Sequence, residues 1–129
     1  MSTTTVHAAF APELRGALLH KLGDACGDIS DATSLRDMEL RQDRLAEPLE
    51  RFDAYRSAID AIGWEASETE IDADLHRWAL TTALGHILEI EREYADVDPQ
   101  LDGAAKQRER ATKNVREIEA FAAAAGLRL

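Results

Sequence analysis

The chain reads as an all-α protein, an up-down antiparallel four-helix bundle with coiled-coil-like seams. Three observations carry that expectation. Alanine and leucine dominate the apolar class, aromatics make up only 5% of the 129 residues, and no β-branched run appears among the apolar residues. Three successive segments repeat apolar residues alternately three and four apart, the period of helices that pack along a seam. The connections between segments run to eight to ten residues, short enough to favour antiparallel neighbours. The whole chain, 1–129, is expected to form one helical domain, with residues 1–10 as a flexible N-terminal segment.

Helix one is expected over Pro12–Cys26. Proline suits the first turn, where its missing N–H costs nothing. Leu14, Leu18, Leu22 and Ala25 follow at helical spacing, and Gly27 with the polar residues after it reads as a stop. Helix two is expected over Leu35–Ile62, with Ser34 and Asp37 as capping residues and Gly63 as the end. Its seam joins Met38, Leu45, Phe52 and Ile59 to Leu35, Gln42, Leu49 and Arg56. The seam keeps its phase across Pro48, so one kinked helix is preferred to two, although an interior proline costs about 3 kcal/mol.

The stretch "EASETEID" then reads as a polar, acidic link. Helix three follows within "HRWALTTALGHILEIEREY", His76–Tyr94. Its inner line is Ala73, His76, Leu80, Ala83, Ile87, Ile90 and Tyr94. "DVDPQLDG" makes the next turn. Helix four spans Ala104–Ala124, with Leu101, Ala104, Arg108, Ala111, Val115, Ile118, Ala122 and Ala125 on its seam. Gly126 stands where a C-terminal cap belongs.

The formal charge is −10, from 25 acidic and 15 basic residues. Such a surface repels phosphate backbones and anionic lipids, so membranes and direct nucleic-acid binding are disfavoured. A single cysteine, Cys26, suits a reducing cytoplasm, and the N-terminal residues lack the pattern of a secretory signal. Charge is unevenly spread. Glu65–Asp98 holds ten acidic and two basic residues, whereas the chain from Pro99 onward holds four and six. Charge-complementary packing of helix three on helix four is the expected consequence, and an acidic docking face for a basic partner is the sharper one.

Few residues suggest chemistry. His86, Glu89 and Glu93 lie together on the border of helix three's apolar face, while His76 belongs to the inner line. Glu47 and Glu50 on helix two are the candidates that would complete a metal site with them. Ferritin-like carboxylate sites need a Glu-x-x-His pair from each of two helices; here the order is reversed and no second copy appears. The four histidines also lack the spacing of DinB-like bundles. Arg15 and His20 match the R-x4-H spacing of HEPN-type ribonucleases, which would imply a phosphate clamp and a general base in the first helix. Glu47-x-x-Glu50 with Glu93-x-x-Asp96 resembles the acidic Mg²⁺ site of helical nucleotide pyrophosphatases of the MazG and dimeric dUTPase kind. The two pairs stand further apart than in those families, and basic residues to hold phosphates are not evident nearby, so no residue is carried over.

Trp78 falls on the side of helix three opposite its inner line. It reads either as an interface residue or as packing for helix one or "VHAAF". The expectation is a non-enzymatic protein-interaction or regulatory module without cofactors, forming a homodimer. Trp78, Glu89 and Glu93 would be its contact surface. A metal-dependent helical enzyme and an acidic mimic of nucleic acid are the alternatives.

Overall fold

A computed structural model describes residues 3–65, 67–98, 100 and 103–129. They form β1 (Thr3–Val6), α1 (Ala11–Thr33), α2 (Met38–Ile62), β2 (Thr69–Asp72), α3 (Arg77–Ala95) and α4 (Ala104–Ala125). The molecule is mostly helical, as expected, with a small antiparallel two-stranded sheet besides. Among the described residues, no helix is long and apolar enough to cross a membrane.

The sheet corrects two readings, the flexible N-terminal segment and the acidic link. Thr4 pairs with Ile71 and Val6 with Thr69. Every residue of Thr3–Val6 is β-branched, but three are threonine, so a count of apolar residues passes over the run. A two-stranded ribbon is marginal by itself in water. Val6, Ile71 and the adjoining Ala73 are buried in the common core, and that burial holds the ribbon in place. Asp72 then turns the chain into α3 by accepting hydrogen bonds from the backbone N–H groups of Asp74 (3.0 Å) and Leu75 (3.1 Å).

α1 runs seven residues beyond the expected stop. Gly27 costs about 1 kcal/mol relative to alanine. Packing of α1 on α2 offsets that, with Ala25 and Ala32 buried and Arg51 Nη2 of α2 reaching Asp28 at 2.8 Å. The helix ends where Thr33 and Ser34 both donate their hydroxyls to the Ser30 carbonyl, competing with the backbone ladder. α2 begins three residues later than expected, because Asp37 is the N-cap and accepts from the Leu40 N–H at 3.0 Å. It is one continuous helix through Pro48, which is buried, and it ends at Gly63 with φ 75°. α4 ends as expected: Gly126 is left-handed, and the Leu127 N–H reaches the Ala122 carbonyl at 2.8 Å, closing a Schellman turn.

α1 packs on α2 and on α3, and α3 packs on α4; α4 also meets β1. Val6, Leu14, Leu18, Leu80, Leu84 and Ile118 are the largest side chains wholly out of solvent, and Phe10 meets Phe121 with ring centres 5.2 Å apart. The expected seams match unevenly. Along α4 the alanines and Ile118 are buried as expected, joined by Asn114 and Phe121, while Arg108 is exposed and Leu101 lies outside the described residues. On α3 the buried face turns toward Leu84 and Leu88, leaving His76, Ile87 and Ile90 half-buried and Tyr94 exposed.

The largest departure is on α2. Its buried residues are Pro48, Tyr55, Ala58, Ile59 and Ile62. At about 100° per residue, that face is centred roughly 90° around the helix from the stripe of Met38, Leu45, Leu49 and Phe52, while Ile59, the last residue of the expected seam, lies on the border and is buried as expected. Met38 is 64% exposed and Leu49 47%, while Leu45 and Phe52 are half-buried. Pro48, Tyr55 and Ile62 repeat every seven residues too, so α2 carries two heptad series, and α1 covers the less apolar one.

Candidate functional site

Polar side chains from three helices converge beside Trp78. The indole, second residue of α3, lies against Tyr55 of α2 with ring centres 5.2 Å apart and planes tilted by 36°. Neither sequence alternative named this neighbour. Trp78 is 49% exposed and stands between two clefts. The one of about 330 Å³ is walled by Lys21, Asp24 and Asp28 of α1, Glu47, Arg51 and Tyr55 of α2, and Trp78 and Thr82 of α3. The other, about 260 Å³, lies between Asp53, Ala54 and Ser57 of α2 and Leu75, His76 and Ala79 on the α3 side. Leu75 at its edge is 74% exposed.

Helical spacing builds the first cleft. Trp78, Thr82 and His86 succeed one another four apart on α3, and His20 and Asp24 do so on α1. At the far end His20 and His86 stack, ring centres 5.1 Å apart and planes within 12°. Charges crowd the rim. Arg51 bridges Asp28 (2.8 Å) and Glu47 (3.2 Å), while Lys21 stands 3.9 Å and His20 4.0 Å from Asp24. Burial raises the Tyr55 phenol above its usual range; the nearby Asp24 carboxylate adds to that and Arg51 opposes it.

The candidate ligands named from sequence part company here. His86 turns to His20, Glu47 to Arg51, and Glu50, Glu89 and Glu93 are exposed. Among the described residues, no three His, Cys, Asp or Glu side chains come together in a way that could hold a metal ion. Arg15 and His20 also separate, being five apart and therefore on different sides of α1. Arg15 donates from Nε to the Gly63 carbonyl at 2.9 Å and lies over the Trp64 ring at 5.2 Å, tying down the end of α2.

Charge complementarity between α3 and α4 takes an unexpected form. The ion pair between them sets Arg92 of the acidic helix against Glu119 of the basic one at 3.2 Å. Arg77 also donates to the Gly126 carbonyl at 2.8 Å, closing the end of α4. A separate acidic cluster forms where α1, α3 and α4 meet: Glu13 is held above the usual carboxylate range by burial, then by Glu91 and Glu117, against the pull of Arg110 and Lys113.

Tyr55, Arg51, Asp24 and Asp28 are the residues that sequence reasoning missed at this site, whereas His20 stood out only for its spacing from Arg15. The one available signal was the second heptad series, which puts Tyr55 on the α1-facing side of α2. No protein-family model, curated protein or solved structure matches the chain.

Proposed function

We propose that the protein acts by association, as a non-enzymatic adaptor or regulatory module that pairs with a second copy of itself. The observation that carries this reading is the apolar stripe of α2. Met38, Leu45, Leu49 and Phe52 keep coiled-coil spacing, yet their own chain leaves them wholly or partly exposed. A stripe of this kind is self-complementary, and aligned on a second copy it would bury apolar surface that otherwise faces water. The short links and the pairwise packing of successive helices suit an up-down antiparallel bundle within each copy. Trp78, Glu89 and Glu93 on α3 form the surface offered to a further partner, rich in carboxylates and carrying an aromatic anchor. The exposed Cys26 suits a reducing cytoplasm.

Sedimentation equilibrium tests the pairing. The protein is expected to be dimeric, and Leu45→Glu with Leu49→Glu to be monomeric with unchanged helical circular dichroism. A monomer across roughly a thousand-fold range of concentration would overturn the reading.

A further inference from the structure

We propose that the cleft beside Trp78 seats an arginine or lysine side chain of a partner protein. The inference rests on the reading of the Trp78 face as a docking surface; it does not depend on pairing through α2.

Several features of the cleft suit an organic cation. Its aromatic wall is the half-exposed Trp78 indole backed by Tyr55, and cations settle over such rings within about 6 Å. Three carboxylates, Asp24, Asp28 and Glu47, face two cations, Lys21 and Arg51, so the rim is negative. Arg51 engages Asp28 and Glu47 closely. Asp24 is different: its neighbours Lys21 and His20 stand at 3.9 and 4.0 Å, beyond hydrogen-bonding distance, so its carboxylate retains acceptor capacity.

Tyr55 supplies the second acceptor. The residue is 2% exposed and lines the cleft, and its phenol is close enough to Asp24 and Arg51 to feel both charges. None of the side-chain hydrogen bonds among the described residues uses its hydroxyl, and the two charges that act on it, Asp24 and Arg51, both line the cleft. A buried tyrosine hydroxyl normally finds a partner. A guanidinium or ammonium group carries only donors, and here it would meet the Tyr55 oxygen and the Asp24 carboxylate beneath an indole face. The molecule already makes one such contact internally, with Arg15 over Trp64 and its Nε bound to the Gly63 carbonyl. Beyond the cleft, Glu89 and Glu93 continue an exposed acidic track along α3, suited to further basic residues of the same partner.

The test follows Trp78 fluorescence in a Trp64→Phe background, titrated with a blocked peptide of alternating arginine and glycine. The control is the same peptide with citrulline, a neutral isostere, in place of arginine. The arginine peptide is expected to saturate and to weaken with salt, with the citrulline peptide binding at least about tenfold more weakly. Asp24→Asn and Tyr55→Phe, conservative changes checked by circular dichroism, should each weaken binding by about three- to tenfold. Equal binding of the two peptides would overturn the proposal, as would no saturation by about 10 mM, or wild-type affinity in both variants. Sedimentation of the same samples separates the two readings. A dimer that ignores arginine sinks the cleft alone, while a monomer that binds it sinks only the pairing.

Discussion

The two halves of α2 carry the same heptad signal and meet opposite fates. In the C-terminal half, Tyr55, Ile59 and Ile62 are buried at 2 to 4% exposure against α1, the sheet and α3. In the N-terminal half, only Pro48 is buried, while Met38, Leu40 and Leu49 face solvent. α1 mirrors this, with Ala11, Leu14, Ala17 and Leu18 in the core and only Ala25 and Ala32 buried beyond them. The difference lies in what stands nearby. β1, β2, α3 and the end of α4 surround one end of the α1–α2 pair, and among the described residues nothing comparable covers the other. Apolar periodicity therefore marks a face able to be buried; whether its own chain buries it depends on the neighbours available.

The sharpest way to break this comparison is a pair of leucine truncations read by urea denaturation of dilute protein. Leu18→Ala, at the covered end, should cost about 2–5 kcal/mol, since it leaves a cavity in close-packed surroundings. Leu49→Ala should change the stability of the single chain by less than about 0.5 kcal/mol, as for an exposed site. Equal losses would mean that α2 is covered along its whole length.

A smaller effect probes the cost of burial at the covered end. Thr4 faces the core from β1, and its Oγ1 is buried with no hydrogen-bond partner among the described residues. Thr4→Val keeps the shape and the β-branch and removes the unsatisfied hydroxyl. It should stabilise the protein by about 1–2 kcal/mol in the same measurement. A destabilised variant would show that the hydroxyl is in fact satisfied.

The mildest expected effect comes from Glu13, where α1 meets α3 and α4. Its carboxyl is held above its ordinary value of 4.5, so the folded state binds the proton more tightly than the unfolded chain. That contribution to stability is fully present below the unfolded value and lost as the pH rises through the folded one. Ionised Glu13 therefore burdens the fold at neutral pH. Glu13→Gln should raise the thermal midpoint at pH 7, and the advantage over the wild type should shrink to nothing as the pH falls below about 4.5. An advantage that persists unchanged at low pH would point to packing rather than charge.

Much of the helical framework was legible because its signals are local. Pro12 in a first turn and Gly63 and Gly126 as stops act through a few neighbouring residues, and those helix ends follow from them. Gly27 was misleading for the converse reason: contacts of Ala25, Ala32 and Asp28 with α2 outweigh a local cost. The strands were hidden because β1 is mostly threonine and its partner lies more than sixty residues away, at Thr69–Asp72. The site was the least legible part. Trp78 was recognisable as lying off the inner line of its helix, but its partner Tyr55 was not, because the more apolar heptad series on α2 drew attention to the other face.

By itself the sequence determined the mostly helical class, the presence of four helices, most of their ends and the uneven distribution of charge. These depend on propensity, capping and spacing along the chain. Only the tertiary structure decided which stripe of α2 turned inward, that Thr3–Val6 would pair with Thr69–Asp72, and that His86 would stack on His20 rather than join a carboxylate set. Those outcomes are set by competition among faces for a limited number of neighbours, a property of the packed molecule that no segment carries alone.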